Sequence, residues 1–292
     1  MDIAFVILHY MTDEDTIACI DSITDKIDTD DYIVVVVDNA SNNGSIERIE
    51  ENTKENNHVR IVKNTENLGF ARGLNSGIDV ARQLGARFIA CINNDVMLMS
   101  TNIVQVLEKK YKQYGFAILG PMMITGDNYC DVNPVRNTFR SLEECDQMLK
   151  KEERIVKIAE MHLIPVYNFF KRINNIRHKR IPKTLFLNDQ VDYLLHGAFL
   201  IFSPVYFTVF DGFDSRTFLY GEESILYLHT LKNGLHTLYT PEIVIYHKED
   251  SSTNKALPNS NERTKFIYKT GLDSVRLYKE IYLQYIKRES EG

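Results

Sequence analysis

Along the first 120 residues the apolar pattern changes period repeatedly, which is how alternating strands and helices appear in a sequence. Ile3 to Leu8 is a short, nearly continuous apolar run suited to a buried parallel strand. Thr12 then offers an N-cap ahead of Asp13, Glu14 and Asp15, and Ile17, Ile20 and Ile23 follow at helical spacing. Ile33 to Val37 is the clearest buried strand, and it breaks into Asp-Asn-Ala-Ser-Asn-Asn-Gly, a cluster of turn formers. Residues 45–55 predict a helix, Val59 to Val62 a strand and Ala71 to Leu84 a helix interrupted by Gly73 and Gly77. Phe88 to Ile92 is another apolar strand, running into Asn93-Asn94-Asp95. Such alternation predicts an α/β fold with a mostly parallel central sheet flanked by helices, whose ligands bind beyond the carboxyl ends of the strands.

The pattern divides the chain further. Residues 1–125 read as one α/β half, whereas 126–187 carry helical signals, scattered charge and no strong strand, as in a helical insertion or lid. Within it, Pro165 to Pro182 holds Lys171, Arg172, Arg177, Lys179 and Arg180, no acid, and interleaved Phe169, Phe170, Ile173 and Ile176. Residues 188–250 return to α/β patterning, with strands at Val191 to Leu195 and Ala198 to Phe202, a helix at 223–233 and strands near 236–246. Apolar residues near helical spacing over 261–287 predict one or two packed C-terminal helices within 251–292.

Composition narrows the class. The 292 residues are 44% hydrophobic and 25% charged with a net charge of −6, which excludes a disordered chain and argues against a general nucleic-acid coat. Cys19, Cys91, Cys130 and Cys145 lie far apart without metal-ligand spacing and read as reduced, structural thiols. The first ten residues lack a basic region or cleavage site, and no apolar run approaches the roughly 18 residues of a membrane span, so the expected location is the cytoplasm.

Three polar clusters end three predicted strands: His9-Tyr10, Asp38-Asn39-Ala40-Ser41 and Asn93-Asn94-Asp95. No G-x-G-x-x-G follows the first strand, and neither a Walker-type P-loop nor a G-x-S-x-G elbow is present. An Asp where a buried strand opens into a loop can accept from a base N–H or a ribose hydroxyl, and one at a second strand end can hold a divalent ion on a diphosphate. Taken singly, Asp38 reads first as a turn residue and Asp95 as a helix cap.

In combination, VVVVDNASNNGS, NTENLGFARGLNSGI and ACINNDV, followed by HGAFLIFS, FDSRTFLYGEES and IVIYHKEDSS, resemble the family 2 glycosyltransferases of the GT-A fold. The likeness is nearest to the bacterial rhamnosyl- and galactofuranosyl-transferase-like branch. It implies that Asp38 meets the nucleotide base, flanked by the backbone around His9 and Tyr10. It also implies that Asn67, Gly69, Arg72, Asn75 and Asn94 line the nucleotide and diphosphate. Asn93-Asn94-Asp95 stands where such enzymes carry D-x-D, so Asp95, with Asn93 and His247, is the expected holder of Mg²⁺ or Mn²⁺. Glu223 matches the general base of the family's acidic motif, and Glu222 is its acceptor-binding or supporting neighbour.

The function implied is inverting transfer of a sugar from a UDP- or dTDP-linked donor to a glycan or glycolipid hydroxyl, in bacterial surface polysaccharide synthesis. Stretch 165–183 would then touch the inner face of the cell membrane, where a lipid-linked acceptor is found, the alternative being a solvated helix. The changes at 93 and 223 leave a second reading, a degenerate copy that binds without catalysing. A sugar-phosphate nucleotidyltransferase is disfavoured, because LHYMTDED lacks the glycine-rich basic loop expected after the first strand.

Overall fold

The computed structural model describes residues 1–125, 132–168, 186–248 and 259–291. The described chain runs β1 (Ile3–His9), α1 (Asp13–Lys26), β2 (Tyr32–Asp38), α2 (Ser45–Thr53), β3 (Val59–Lys63), α3 (Gly69–Gln83) and β4 (Phe88–Asn93). It continues through β5 (Val96–Leu98), α4 (Ile103–Tyr114), β6 (Ile118–Thr125), α5 (Leu142–Glu160), β7 (Gln190–Val191) and β8 (Phe199–Phe202). Helix α6 (Glu222–Lys232), strand β9 (Thr237–His247) and helix α7 (Ser260–Glu291) complete it.

The described strands form one nine-stranded sheet in the order β3-β2-β1-β4-β8-β6-β9-β5, with β7 also on β9. The first four are parallel, as the β-α repetition predicts. Beyond β4 the sheet is mixed: β8 is antiparallel to β4 and β6, and β9 is parallel to β6 but antiparallel to β5. Side-chain alternation divides the core between the two faces. Phe5, Ile7, Val34 and Val36 meet α1, α2 and α4 on one face, while Val6, Val35 and Val37 meet Leu74 and Ile78 of α3 on the other.

Gly73 and Gly77 do not interrupt α3. A Cβ on Gly73 would stand 2.6 Å from Leu8 Cδ1, and one on Gly77 would stand 2.3 Å from Val6 Cγ1 and 2.7 Å from Val37 Cγ2. Their missing side chains let the helix lie directly on β1 and β2. Thr12 precedes α1 as expected, yet its hydroxyl makes no cap bond and instead accepts from Asn94 Nδ2 at 2.6 Å. Asp95 caps no helix either, since β5 follows it.

Helix α5 packs into the body. Its Cys145 shares a buried cluster with Ile225 and Leu228 of α6 and Val275, Tyr278 and Ile281 of α7. The C-terminal segment is a single helix of 32 residues. Cys19, Cys91 and Cys145 are free and buried, whereas Cys130, together with Phe169, Phe170, Lys171, Arg172, Arg177, Lys179 and Arg180, lies outside the described residues. No described helix is long and apolar enough to cross a membrane.

Candidate functional site

The carboxyl ends of β1, β2 and β4 meet as predicted, with His9 in register beside Asp38 on one side and Leu8 beside Asn93 on the other. Asp38 is 4% exposed, and its Oδ1 accepts from the Ser41 N–H at 3.1 Å, which makes a tight turn. The Ser41 hydroxyl in turn accepts from the Met11 N–H at 2.9 Å. Met11 and Ala40 both hold positive φ, 64° and 62°, so the two loops beyond β1 and β2 are strained and mutually braced. Tyr10 is half-buried beside them.

Several candidates at this rim are anchors. The buried His9 ring is bonded through Nδ1 to Thr16 Oγ1 at 2.7 Å and through Nε2 to Ser45 Oγ at 2.8 Å, tying β1 to α1 and α2. Asn94 donates to the hydroxyls of Thr12 and Thr16 at 2.6 and 2.9 Å, fixing the start of α1 against β4. Asn39, which the sequence marks only as a turn residue, is the hub of the next loop. Its Nδ2 donates to Asn67 Oδ1 and the Gly69 carbonyl, and its Oδ1 accepts from Asn64 Nδ2 and the Leu68 N–H, all at 2.9–3.2 Å.

The segment 67–75 ties the two halves of the molecule together. Gly69 has φ +79°, and a Cβ there would lie 2.2 Å from the Phe218 carbonyl, which also accepts from the Phe70 N–H at 2.7 Å. Asn75 clamps the Phe213 backbone, donating to its carbonyl at 2.9 Å and accepting from its N–H at 2.8 Å. Its carboxamide is therefore spent on the loop before α6 rather than turned to the strand ends. Arg72 is exposed, with its Nε on the Leu68 carbonyl at 3.1 Å.

Asp95 and His247 come together although 152 positions separate them (247 − 95). Strand β5 pairs antiparallel with the end of β9, setting Asp95 Oδ1 3.2 Å from His247 Nε2, with both side chains 8% exposed. Among the described residues His247 Nδ1 is buried without a hydrogen-bond partner, and the His196 ring meets the His247 ring at 5.8 Å. Among the described residues no cluster of three or more His, Cys, Asp or Glu could hold a metal alone, so a cation on this pair would need further oxygens from a ligand. Asn93, half-buried at the end of β4, donates its N–H to the Ala198 carbonyl at 2.9 Å.

The short segment His196-Gly197-Ala198 joins this pair to the acids. The Glu223 Oε2 lies 3.7 Å from where a Cβ on Gly197 would stand. Glu222 and Glu223 open α6 after Tyr220 and Gly221, both at positive φ (69° and 86°), in a turn pressed by α3 at Phe218 and by Ser274 of α7 at Gly221. Burial raises the Glu222 carboxyl to about 7, the Glu223 charge adding to that and a bond from Thr217 opposing it. Among the described residues Glu222 Oε1 and Ser224 Oγ are buried without partners. Burial also raises Glu223, against its own backbone N–H and the charge of Arg140. Asp214, a further carboxylate near the turn, is committed elsewhere: burial would raise it, but bonds from His229 and Arg216 hold it well below the usual range.

His196, Thr217 and Arg140 were not among the predicted site residues. His196 opens HGAFLIFS and Thr217 lies within FDSRTFLYGEES, two segments that carry the family likeness without marking either residue, and nothing in the sequence separates Arg140 from surface residues.

A sheet whose parallel half ends in paired loops, closed by an acidic helix start and an Asp–His pair, is the GT-A architecture of nucleotide-sugar enzymes. The family model for glycosyl transferase family 2 matches residues 5–176, more than half of the chain, and the protein belongs to that family. Among solved structures, S. aureus TarS 1-349 aligns over 85% of this chain and 60% of its own, with TM-score 0.55 at 11% identity. The same fragment in complex with UDP aligns over 92% and 65%, with TM-score 0.52 at 12% identity. GalNAc-T7 with UDP, GalNAc and Mn²⁺ aligns over 86% and 43%, with TM-score 0.58 at 12% identity. The chain thus spans less than two thirds of each of these proteins, and at such identities the likeness is one of fold. No curated protein sequence matches significantly.

Proposed function

We propose that this protein is a metal-assisted glycosyltransferase that moves a sugar from a UDP- or dTDP-linked donor to a hydroxyl of a glycan or lipid-linked glycan. The observation that carries the reading is the convergence at His196-Gly197-Ala198 of the Asp95–His247 pair with the two acids that open α6. Family membership and the UDP-bound structures of TarS and GalNAc-T7 support it. In this reading residues 1–125 form the donor-binding half, 188–250 the acceptor and catalytic half, 126–187 an insertion and 251–292 a C-terminal helical segment. Asp38 accepts from the base, and the braced loops beyond β1 and β2 hold the nucleoside.

The Asp95–His247 pair fits a Mg²⁺ or Mn²⁺ ion shared with a diphosphate: an anionic oxygen, a buried imidazole with one nitrogen unbonded, and no third ligand from the described chain. Such an ion stabilises the charge of the departing nucleoside diphosphate. Asn93 adds a neutral oxygen at the same strand end. Glu223 takes the proton from the attacking hydroxyl, and an attack from the face opposite the diphosphate inverts the anomeric centre. Glu222, more readily neutral, donates rather than accepts. The membrane-bound acceptor, the polysaccharide pathway and a cytoplasmic site of action belong to the same reading, with 165–183 touching an anionic membrane face.

The deciding experiment is a thermal-shift panel of UDP, dTDP, GDP and CMP with and without Mn²⁺, on wild type and Asp95→Ala. A ligand that binds the native state raises its melting temperature. UDP or dTDP should raise it, Mn²⁺ should enlarge the rise, and Asp95→Ala should abolish only the enlargement. No response to any nucleotide would sink the proposal.

A further inference from the structure

Helix α5 divides its charges by side. Along its outer surface Lys150, Arg154 and Lys157, and Met161 just past its end, recur at intervals of four, three and four residues, the spacing of one helical stripe, and all are exposed. The opposite face is buried: Cys145 lies against α6 and α7, and Ile155 and Ala159 form a second cluster with Ile164. The acids of α5 are spent elsewhere. Asp146 pairs with Lys279, Glu153 with Arg276 and Glu160 with Lys265, at 2.5, 3.3 and 3.3 Å, so three of them face bases of α7. Glu144 is held by Arg136, Glu152 turns onto Gly271 of α7, and Glu143 accepts from Gln147. Among the described residues no acid comes within ion-pair distance of Lys150, Arg154 or Lys157.

The stripe ends in an apolar knob. Met161, Leu163 and Val166 are 66%, 42% and 51% exposed. The turn that carries them is fixed, because Ile164 between them is buried and its N–H donates to Asn261 Oδ1 of α7 at 3.3 Å. Three cations in line, followed by three large apolar side chains held outward, are a pattern that packing within the chain does not account for.

We propose that the outer face of α5, with the turn at Met161, is the surface by which this protein docks on an anionic lipid bilayer. The proposal deepens the reading of a membrane-bound acceptor, on which it rests, and assigns the contact to residues of α5 and its turn. Lipid phosphates require a density of positive charge rather than a fitted partner, and the methylene stems of the bases and the apolar knob can enter the boundary between headgroups and acyl chains. A nucleic acid would meet the bases but leave Met161, Leu163 and Val166 in water. The sequence continues the same charge through Pro165 to Pro182, with five bases and no acid. Helix α7 links the docked face to the turn that carries the acids: its Ser274 lies against Gly221, and its Phe266 meets Phe218 at 6.1 Å. The contact is thus one helix away from Glu222 and Glu223, within reach of an acceptor that stays anchored in the bilayer.

The test is sedimentation with phosphatidylcholine vesicles that contain or lack phosphatidylglycerol. Wild type should prefer the anionic vesicles. Lys150→Gln, Arg154→Gln and Lys157→Gln combined should lower that binding roughly a hundredfold, about fivefold for each charge near the surface. Met161→Ser, Leu163→Ser and Val166→Ser combined should cause a smaller loss that persists at high salt, where the charges are screened. The changed side chains are exposed, so circular dichroism should show both variants folded. Unchanged binding of the charge variant to anionic vesicles would overturn the proposal. If only neutralising Lys171, Arg172, Arg177, Lys179 and Arg180 weakens binding, the proposal falls while the membrane reading stands; if wild type binds neither vesicle, both fall. Stripe-dependent retention of RNA without vesicle binding would make the partner a nucleic acid and overturn it as well.

Discussion

The two rims of the site are built on opposite plans. At the ends of β1, β2 and β4, the imidazole of His9 and the carboxamides of Asn39 and Asn94 are bonded to neighbours, and the loops brace each other through Met11 and Ser41. At the start of α6 and the end of β9, Glu222 Oε1, Ser224 Oγ and His247 Nδ1 are buried without a hydrogen-bond partner among the described residues. The polar atoms of one rim are paired within the chain; those of the other keep bonding capacity that the described residues do not use. The first should therefore govern stability and shape, and the second should trade stability for chemistry.

The sharpest way to break this contrast is at Glu223. Glu223→Gln should fold normally and still bind nucleotide, yet lose roughly 10²–10⁴ in transfer rate, the usual size of general-base catalysis. A variant that unfolds, measured by circular dichroism alongside the assay, would mean that the second rim is structural after all. Asn39→Ala probes the opposite rim. It removes four hydrogen bonds at a residue 3% exposed, each worth about 0.5–1.5 kcal/mol, so urea denaturation should show a loss of roughly 2–6 kcal/mol.

Asp38→Ala should weaken UDP or dTDP by about 1–3 kcal/mol in calorimetric titration, with little change in rate at saturating donor. The smallest effect, at Glu222, is also the most distinctive. Its folded carboxyl keeps a proton up to about 7, whereas an ordinary one releases it near 4.5. Between those values the folded state binds more protons than the unfolded state, so stability falls as pH rises through the window and the penalty is complete above it. Glu222→Gln removes the titration, and above pH 7 it should gain on the order of 1 kcal/mol relative to wild type that it does not gain at about pH 4.5. Parallel stability–pH curves for the two proteins would show that Glu222 is not strained.

Much of the fold was legible because buried parallel strands leave unbroken apolar runs, as at Ile3 to Leu8 and Ile33 to Val37. Strand β6 was hidden by Gly120 and Pro121, which look like a break; the sheet accepts the proline because the register with β9 shifts between Pro121 and Met122. The run Val191 to Leu195 was read as a strand, but only Gln190–Val191 pair with β9 before the chain turns away and Leu194 bridges to Arg136. Mixed pairing beyond β4 has no local signal at all. At the site, Asp38, Asp95, His247 and the two acids stood out through their places at element ends. The anchoring duties of His9, Asn75 and Asn94 did not, because an imidazole or carboxamide at an element end looks the same whichever way it points.

Helix α3 carries a consequence for how far this protein can vary. Three of its positions, Gly69, Gly73 and Gly77, recur every four residues and face, in turn, the turn before α6, the end of β1 and the middle of β1 and β2. A saturation library over the helix should accept most residues at the exposed Asp79 and Arg82 and recover almost nothing but glycine along that stripe. Drift in sequence is thereby channelled to the outer surface, and the distance between the donor-side loops and the acids is kept as a nearly invariant dimension.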